Sequence, residues 1–373
     1  MTSRIAIIYT HFPHYRTAVF AALSASENLT FDFYYDLGGV SSTIKSGAFL
    51  DNHHAMPVRQ WRGFLWQSQA VTHVLTNPAD GYIFLGNPHI LSTWVAAALA
   101  RLRGKPVYFW THGWLRRDSW PKRLIKLAFF RLASGLLVYG ERARKLGAME
   151  GYPRERIHVV YNSLDYDAQR KAREAVLRER DIGSPLIPDS GKTPYFLVVS
   201  RLVPEVRLDQ AIEALARVSE PAALVVVGAG PDKDRLERLA TNLGVNVQFV
   251  GAIYDESELA KLFLNTRGVV SPGKVGLLAM HALAYGATVI THDDLDRQMP
   301  EVEAIEPGVT GAFFRYGDKD DLARKMTLSL GCTEEDRLRC RAAGIARLEE
   351  SYTPEAQVAY ITAALDSVIK RCV

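Results

Sequence analysis

One stretch of the chain, residues 268–294 (GVVSPGKVGLLAMHALAYGATVITHDD), constrains the fold most strongly. A β-branched run is followed by a glycine-bounded turn, a helix rich in Leu, Ala and Met, a glycine and a second apolar run. This order predicts a βαβ crossover between parallel strands. The turn would place backbone N–H groups, together with Lys274, at a helix N-terminus that suits a diphosphate. The alternative is an ordinary α/β turn without a ligand.

The length of 373 residues predicts two domains, because a single core rarely grows so large. Strands and helices alternate in both halves, which predicts an α/β fold with a parallel, doubly wound sheet in each. A segment rich in Pro, Gly and Ser, 183–194, is the predicted linker between an N-terminal domain, 1–182, and a C-terminal domain, 195–350. Residues 351–373 are predicted to form a helix that crosses back to the first domain. We expect a ligand in the cleft between the domains, at the carboxyl ends of the strands.

Charge is distributed unevenly along the chain. Residues 1–180 contain 24 Lys/Arg and 13 Asp/Glu, whereas residues 181–373 contain 21 and 28. A basic first half indicates an anionic partner, such as a membrane leaflet, a phospholipid-linked substrate or nucleic acid. The three cysteines lack metal-ligand spacing and indicate reduced thiols of a cytosolic protein. The N-terminus runs directly into a predicted strand, so we expect no signal peptide.

Residues 115–134 (LRRDSWPKRLIKLAFFRLAS) combine basic residues with aromatic and aliphatic ones at helical spacing. Such a helix is typical of anionic membrane surfaces. The alternative is an amphipathic helix that packs its apolar face into the domain. Nucleic acid is the weaker prediction, since no binding motif accompanies the charge.

Several motifs occur in an order and spacing that resemble GT-B glycosyltransferases of glycosyltransferase family 4. These are VYNSLD, SRLVPE, VVGAGPDKDRLERLA, VQFVGAIYDESELAKLF, SPGKVGLLAMHALAYGATVIT and EPGVTGAFF. The resemblance implies two Rossmann-like domains facing each other across a cleft. It also implies a retaining transfer of a hexosyl group from a UDP- or GDP-sugar to a hydroxyl of a glycan or lipid-linked glycan. Members of the family need no metal, so we expect no metal and no cofactor.

The resemblance implies a donor site in the second domain. Arg201 matches the family's diphosphate-clamping arginine, which can stabilise the leaving nucleotide. The family's lysine five residues later is Val206 here, and its neighbour Arg207 can supply the charge. The family's two glutamates correspond to Gly273 and His281, of which His281 can still hydrogen-bond a ribose hydroxyl. The remaining candidates are Lys274 as a catalytic cation and the donor-binding residues Gly228, Gly230, Ile253, Val275, Gly276 and Leu277.

In the first domain, His112 of the WTHG motif matches a family histidine that contacts the donor sugar and orients the reaction. The alternative is a loop histidine with a structural hydrogen bond. The candidates for contacts with the sugar or the acceptor are His14, Tyr15, Arg16, Asn87 and His89. Asp294 and Asp296 resemble a metal-binding DxD pair, but we predict an exposed acidic loop there and no metal site.

These predictions together describe a glycosyltransferase of bacterial surface polysaccharide assembly, peripheral on the cytoplasmic face of the plasma membrane. Two alternatives stay open. One is a binding or regulatory protein with weakened catalysis, which the residues Val206, Gly273 and His281 motivate. The other is a nucleotide-sugar epimerase, which would need carboxylates around the sugar.

Overall fold

The computed structural model describes residues 3–38, 52–77, 79–179 and 193–372, without the side chains of 367–372. Its strands are β1 (Ser3–Ile8), β2 (Leu29–Tyr35), β3 (His53–Ala55), β4 (Arg59–Trp61), β5 (Phe64–Trp66), β6 (Gly81–Leu85), β7 (Val107–Thr111), β8 (Gly135–Val138), β9 (Ile157–Val159), β10 (Tyr195–Val199), β11 (Ala223–Val227), β12 (Val247–Gly251), β13 (Gly268–Ser271), β14 (Val289–His292) and β15 (Gly311–Phe314). Its helices are α1 (Thr17–Ser24), α2 (Ser68–Thr76), α3 (Leu91–Leu102), α4 (Trp120–Phe130), α5 (Glu141–Met149), α6 (Tyr166–Arg178), α7 (Leu208–Leu215), α8 (Lys233–Leu243), α9 (Glu256–Asn265), α10 (Leu278–Ala284), α11 (Lys319–Leu330), α12 (Glu334–Ser351) and α13 (Pro354–Cys372).

The chain divides into two compact units. Unit 1 comprises Met1–Asp165 and Thr353–Val373, and unit 2 comprises Tyr166–Tyr352. The division falls after Asp165, not after residue 182, because α6 packs within unit 2, where Arg173 donates a hydrogen bond to the carbonyl oxygen of Ala284. Most of the predicted linker, 183–192, lies outside the described residues.

Unit 1 is built on a parallel sheet of seven strands in the order β3-β2-β1-β6-β7-β8-β9. The central strands β6, β7 and β8 are largely apolar, as expected where helices cover both faces of the sheet. Along β1, Ala6 and Ile8 face the core under α2–α5, whereas Ile5 and Ile7 face the core under α1 and α13. From β1 the chain runs outward to β3 and then returns to β6 on the other side of β1. The loops after β1 and β6 therefore meet at a topological switch point.

Unit 2 repeats this plan with a parallel sheet of six strands in the order β12-β11-β10-β13-β14-β15. The chain moves outward from β10 to β12 and returns to β13 beside β10, so the loops after β10 and β13 form its switch point. The predicted βαβ crossover is confirmed as β13, α10 and β14, with β13 and β14 paired in parallel. The predicted α/β class with two Rossmann-like sheets is likewise confirmed.

Strands β3, β4 and β5 were not predicted. In unit 1, β4 and β5 form an antiparallel hairpin of their own, outside the main sheet. The turn residues Arg62 and Gly63 both have positive φ, 47° and 84°. This is the backbone of a two-residue type I′ turn. The Arg62-Gly63 pair was the sequence signal for it.

Candidate functional site

The loops after β10 and β13 are in direct contact at the switch point of unit 2. A side chain at Gly273 would place its Cβ 2.6 Å from the carbonyl oxygen of Glu205 and 2.9 Å from that of Val206. Real Cβ atoms do not approach backbone that closely, so this position requires glycine. The close approach gives a physical reason why the chain has no glutamate here.

Gly228 and Gly230 serve the same switch point. A Cβ at either position would overlap the backbone of the loop that carries Arg201, at Ser200 and Leu202 respectively. The Leu202 N–H donates to the carbonyl oxygen of Ala229 at 3.0 Å, which joins the two loops. Both glycines are therefore needed for packing, and their contact with a donor stays a prediction.

Two cations border this pair of loops. Arg201 and Lys274 are both exposed. Neither has an ion-pair partner within the described part of the chain. Gly276 has φ 49° and leads into α10. The backbone N–H groups of Gly276 and Leu277 have no acceptor among the described residues. These groups leave the loop able to receive an anion.

Val275 was predicted to bind the donor, but the structure engages it in contacts within the protein. Its side chain is buried, and its N–H donates to Oε1 of Gln298 at 3.0 Å. The Nε2 of Gln298 donates to Thr291 Oγ1 at 2.8 Å and to the carbonyl oxygen of His292 at 3.1 Å. Gln298 thus ties the loop after β13 to the end of β14, and the Val275 N–H is not available to a ligand. No sequence pattern pointed to Gln298.

Arg207 lies beside the loop pair in an uncommon backbone conformation, with φ 56° and ψ 37°. Its guanidinium lies 4.4 Å from the centroid of the Tyr316 ring, and that of Arg297 lies 4.9 Å from the same ring. A cation over an aromatic face is stabilised there. To bind a donor phosphate as predicted, the Arg207 side chain would have to leave the Tyr316 ring.

His281 is engaged with a carboxylate that sequence inspection did not identify. Its Nε2 lies 3.1 Å from Oε2 of Glu256, which also accepts a hydrogen bond from the Tyr285 hydroxyl. Burial opposes ionisation of Glu256, but the hydrogen bonds from His281 and Tyr285 outweigh it and lower the carboxyl pKa. Oε1 of Glu256 has no hydrogen-bond partner in the described ranges. The carboxylate follows the β12–α9 loop, in which Ile253 is half-buried.

In unit 1, Arg16 is buried after β1 among aromatic rings. Its guanidinium lies 4.9 Å from the Trp110 ring and 5.1 Å from the Tyr139 ring, and it donates to the Tyr139 hydroxyl. The His112 ring packs on the same Tyr139 with 4.9 Å between centroids. The surrounding protein and the charge of Arg16 lower the pKa of His112 to about 4. His112 is therefore a neutral imidazole at pH 7 and keeps access to solvent.

The other predicted residues of unit 1 follow neighbouring strands. His14 is exposed and Tyr15 half-exposed after β1. After β6, Oδ1 of Asn87 accepts the backbone N–H of the exposed His89 at 3.0 Å and lies 3.1 Å from its Nδ1. Because β1, β6 and β7 are adjacent, the structure gathers the five candidates and His112 at one edge of the sheet.

In the acidic pair Asp294 and Asp296, the Asp294 carboxylate stabilises a local turn. Asp294 accepts the N–H of Asp296 at 3.1 Å and the Nε of Arg297 at 3.0 Å. Within the described ranges, no three His, Cys, Asp or Glu side chains lie close enough together to hold a metal ion.

Comparison with known proteins shows what the chain is similar to. Residues 185–347 match the sequence model of the family described as glycosyl transferases group 1. The match covers less than half of the chain and lies almost entirely within its second half. The group 1 match contains both loops of the unit 2 switch point, Glu256 and His281. The predicted resemblance to GT-B glycosyltransferases is thereby confirmed.

Among curated relatives, the chain is 30% identical over 148 residues to the uncharacterized glycosyltransferase MJ1607 of Methanocaldococcus jannaschii, covering 37% of this chain and 36% of that protein. It is 36% identical over 96 residues to a GDP-mannose-dependent alpha-(1-6)-phosphatidylinositol dimannoside mannosyltransferase of Mycobacterium tuberculosis, covering 24% and 25%. The chain thus spans less than half the length of the curated relatives it matches.

Two solved structures share the fold over almost the whole chain. Anabaena Alr3699/HepE in complex with UDP has a TM-score of 0.73 at 15% identity and covers 98% of this chain and 100% of that one. The lipopolysaccharide outer core galactosyltransferase WaaB in its apo form has a TM-score of 0.70 at 17% identity and covers 98% and 99%. At these identities the likeness establishes the fold.

Proposed function

We propose that this protein is a glycosyltransferase that moves a sugar from a nucleotide-sugar donor to a hydroxyl of a glycan or lipid-linked glycan. The observation that carries the proposal is the contact between the loops after β10 and β13, with Arg201 and Lys274 exposed beside them. Support comes from the family match, from HepE, which is described with UDP and UDP-glucose, and from the GDP-mannose-dependent relatives.

In the proposed mechanism, side chains of both units have separate roles in binding the donor and stabilising the leaving nucleotide. Arg201 and Lys274 neutralise the charge that develops on the departing nucleoside diphosphate. Gln298 holds the loop that carries Lys274 by accepting the Val275 N–H. Glu256, kept ionised by His281, offers its free oxygen to ribose hydroxyls, a role that carboxylates have in other Rossmann-like sites. Neutral His112 exchanges hydrogen bonds with a sugar hydroxyl. Retention of configuration and independence from metal belong to the same proposal.

Donor hydrolysis tests the proposal. Wild-type protein incubated with a panel of UDP- and GDP-sugars should release the nucleoside diphosphate slowly. Arg201→Ala should reduce this release on the order of 10²-fold, the usual loss when one charge-stabilising donor is removed. Arg315→Ala is the matched control, because Arg315 is an exposed arginine of unit 2 that pairs with Asp318.

The alternatives give different results. Tight binding of a donor without turnover, even with an acceptor extract, would identify a binding protein. Conversion of the donor into its epimer without an acceptor would identify an epimerase, although Gly273 leaves no carboxylate at the matched position.

We further propose that unit 1 works on an anionic membrane surface through α4, in assembly of a bacterial surface polysaccharide at the cytoplasmic face of the plasma membrane. Trp120, Leu124 and Ile125 are 70%, 46% and 56% exposed, whereas Leu127 and Phe130 enter the core. Arg116, Arg117 and Lys122 are exposed beside them. No helix in the described ranges has the length and apolar character needed to cross a membrane.

Sedimentation with vesicles that contain phosphatidylglycerol tests the α4 contact. Binding should weaken with salt, because surface charges are screened within ~10 Å at about 0.1 M salt. It should also weaken after charge reversal at Arg116, Arg117 and Lys122. Vesicle binding that is unaffected by salt and by the charge reversal would contradict the proposed contact.

A further inference from the structure

The hairpin of β4 and β5 presents an aromatic face to solvent. Arg59 pairs with Trp66 across the hairpin, and Trp61 pairs with Phe64. Cross-strand partners and alternate residues of a strand share one face, so these four side chains lie together. Trp61 is 67% exposed, Phe64 40% and Trp66 38%. Three large aromatic side chains on one small element are a concentrated apolar surface.

Backbone contacts fix the orientation of this face. The Leu65 N–H donates to the carbonyl oxygen of His89 at 2.9 Å, and Leu65 forms a parallel bridge with Ile90. The Phe64 ring lies 6.0 Å from that of His89, and the Arg62 guanidinium lies 5.1 Å from the Trp61 ring. A two-stranded hairpin is only marginally stable alone, so this anchoring to unit 1 holds it in place.

The hairpin continues into a wider exposed surface of unit 1. Helix α3 begins directly after Ile90 and exposes Leu91 and Val95, which lie one turn apart on the same helix face. The Trp94 ring of α3 packs on Phe129 of α4 at 4.8 Å, so α3 lies between the hairpin and α4. The hairpin, α3 and α4 are therefore consecutive neighbours, and each exposes apolar side chains.

The hairpin, α3 and α4 carry mostly positive charge. Segments 57–66 and 89–105 contain no Asp or Glu, and 112–131 contains only Asp118, which is paired with Lys126 at 2.5 Å. Arg59 and Arg62 on the hairpin are exposed, as are Arg116, Arg117 and Lys122 before and within α4. An occupant must therefore be both apolar and negatively charged over a broad area. Anionic phospholipid has this combination, and Trp prefers the depth of its headgroups.

We propose that the β4–β5 hairpin inserts into an anionic membrane surface through Trp61, Phe64 and Trp66, with Arg59 and Arg62 at the lipid phosphates. This inference rests on the proposed membrane contact of α4 and adds a second, apolar anchor to it. The hairpin supplies buried area that salt does not screen, whereas α4 supplies much of the charge attraction. Two anchors on one rigid unit would also fix its orientation on the leaflet.

Vesicle binding by the full chain separates the two anchors. Phosphatidylcholine vesicles with and without phosphatidylglycerol serve as the probe, and the protein variant is Trp61→Ser with Phe64→Ser. We expect the variant to bind on the order of tenfold more weakly, the effect of losing about 1.4 kcal/mol of apolar burial. Tyr254→Ser is the control, because Tyr254 is 81% exposed in unit 2. Brominated lipid should quench the total tryptophan emission of wild-type protein more than that of the variant, which lacks Trp61.

A second variant tests the same contact without removing the aromatic side chains. Arg59→Glu with Arg62→Glu keeps the aromatic residues and should also weaken binding to anionic vesicles. Equal thermal unfolding curves establish that each variant is folded. Hairpin variants that bind like wild type, while α4 charge reversal still weakens binding, would overturn the inference and leave the α4 proposal standing. If wild-type protein does not bind the vesicles, both the α4 contact and the hairpin anchor are wrong. The proposed glycosyl transfer is tested separately by nucleotide release.

Discussion

At the scale of single residues, the buried charge of Arg16 shapes its surroundings in unit 1. Arg16 carries its charge among three aromatic rings, where cation–π contacts and tyrosine hydroxyls replace water. No carboxylate pairs with it in the described ranges. Its field reaches both His11 and His112, where desolvation by the surrounding protein together with the Arg16 charge lowers the imidazole pKa. Arg16 therefore acts on its neighbours through charge as well as packing.

The lowered pKa of His112 predicts a specific dependence of stability on pH. Unfolded histidine titrates near pH 6.5 and folded His112 near 4, so the unfolded state binds more protons between these values. The stabilising contribution is complete above about pH 6.5 and is lost as the pH falls towards 4. His112→Gln should therefore lose less unfolding free energy than wild type between pH 7 and pH 5. Urea unfolding at the two pH values measures this, and an identical loss would contradict a lowered pKa.

At the scale of elements, the βαβ unit of residues 268–292 is predictable because hydrophobic runs, glycine turns and helix formers are local properties. The contacts that make it a candidate site are not local. Gln298 reaches the loop from beyond β14, and Glu256 reaches α10 from α9. Neither residue belongs to a pattern, since their roles arise from where the sheet places their elements. The hairpin had a local signal in its Arg-Gly turn, but its two strands are only three residues each.

The loop contact predicts that the family's glutamate cannot be restored. Gly273→Glu should destabilise the protein by roughly 1–3 kcal/mol, since any Cβ there meets the Glu205 carbonyl oxygen at 2.6 Å. It should also weaken the thermal shift produced by whichever UDP- or GDP-sugar stabilises the wild-type protein, because the loop that carries Arg201 must move. Gly331→Ala is the control, as its nearest neighbour would lie 3.7 Å away. A Gly273→Glu protein with wild-type stability and stronger donor binding would contradict this account.

At the scale of the whole molecule, the chain returns to its first unit to complete it. Helix α13 contributes Ile361, Ala364 and Leu365 to the core that also contains Phe20 of α1. The Tyr108 hydroxyl donates to the carbonyl oxygen of Ala364 at 2.8 Å. Unit 1 is therefore made of two segments separated by all of unit 2.

This arrangement predicts where a mutation near the C-terminus acts. Ile361 is fully buried, so Ile361→Ala should cost about 2–5 kcal/mol. Hydrogen exchange should accelerate in α1 and β1 of unit 1 and stay unchanged in α10 of unit 2. Leu338→Ala is the comparison, because Leu338 is 52% exposed on α12. Faster exchange confined to unit 2 would contradict the assignment of α13 to unit 1.

The sequence by itself determined the α/β class, the alternation of strands and helices in both halves, the βαβ unit and the resemblance to group 1 glycosyl transferases. These follow from hydrophobic periodicity and turn residues, which act over a few positions. Only the tertiary structure decided that Gly273 is required by the Glu205 and Val206 carbonyls and that His281 pairs with Glu256. It also decided that the turn of residues 273–276, where the prediction began, has one N–H already bound to Gln298. Such contacts join residues far apart in the chain, and folding alone brings them together.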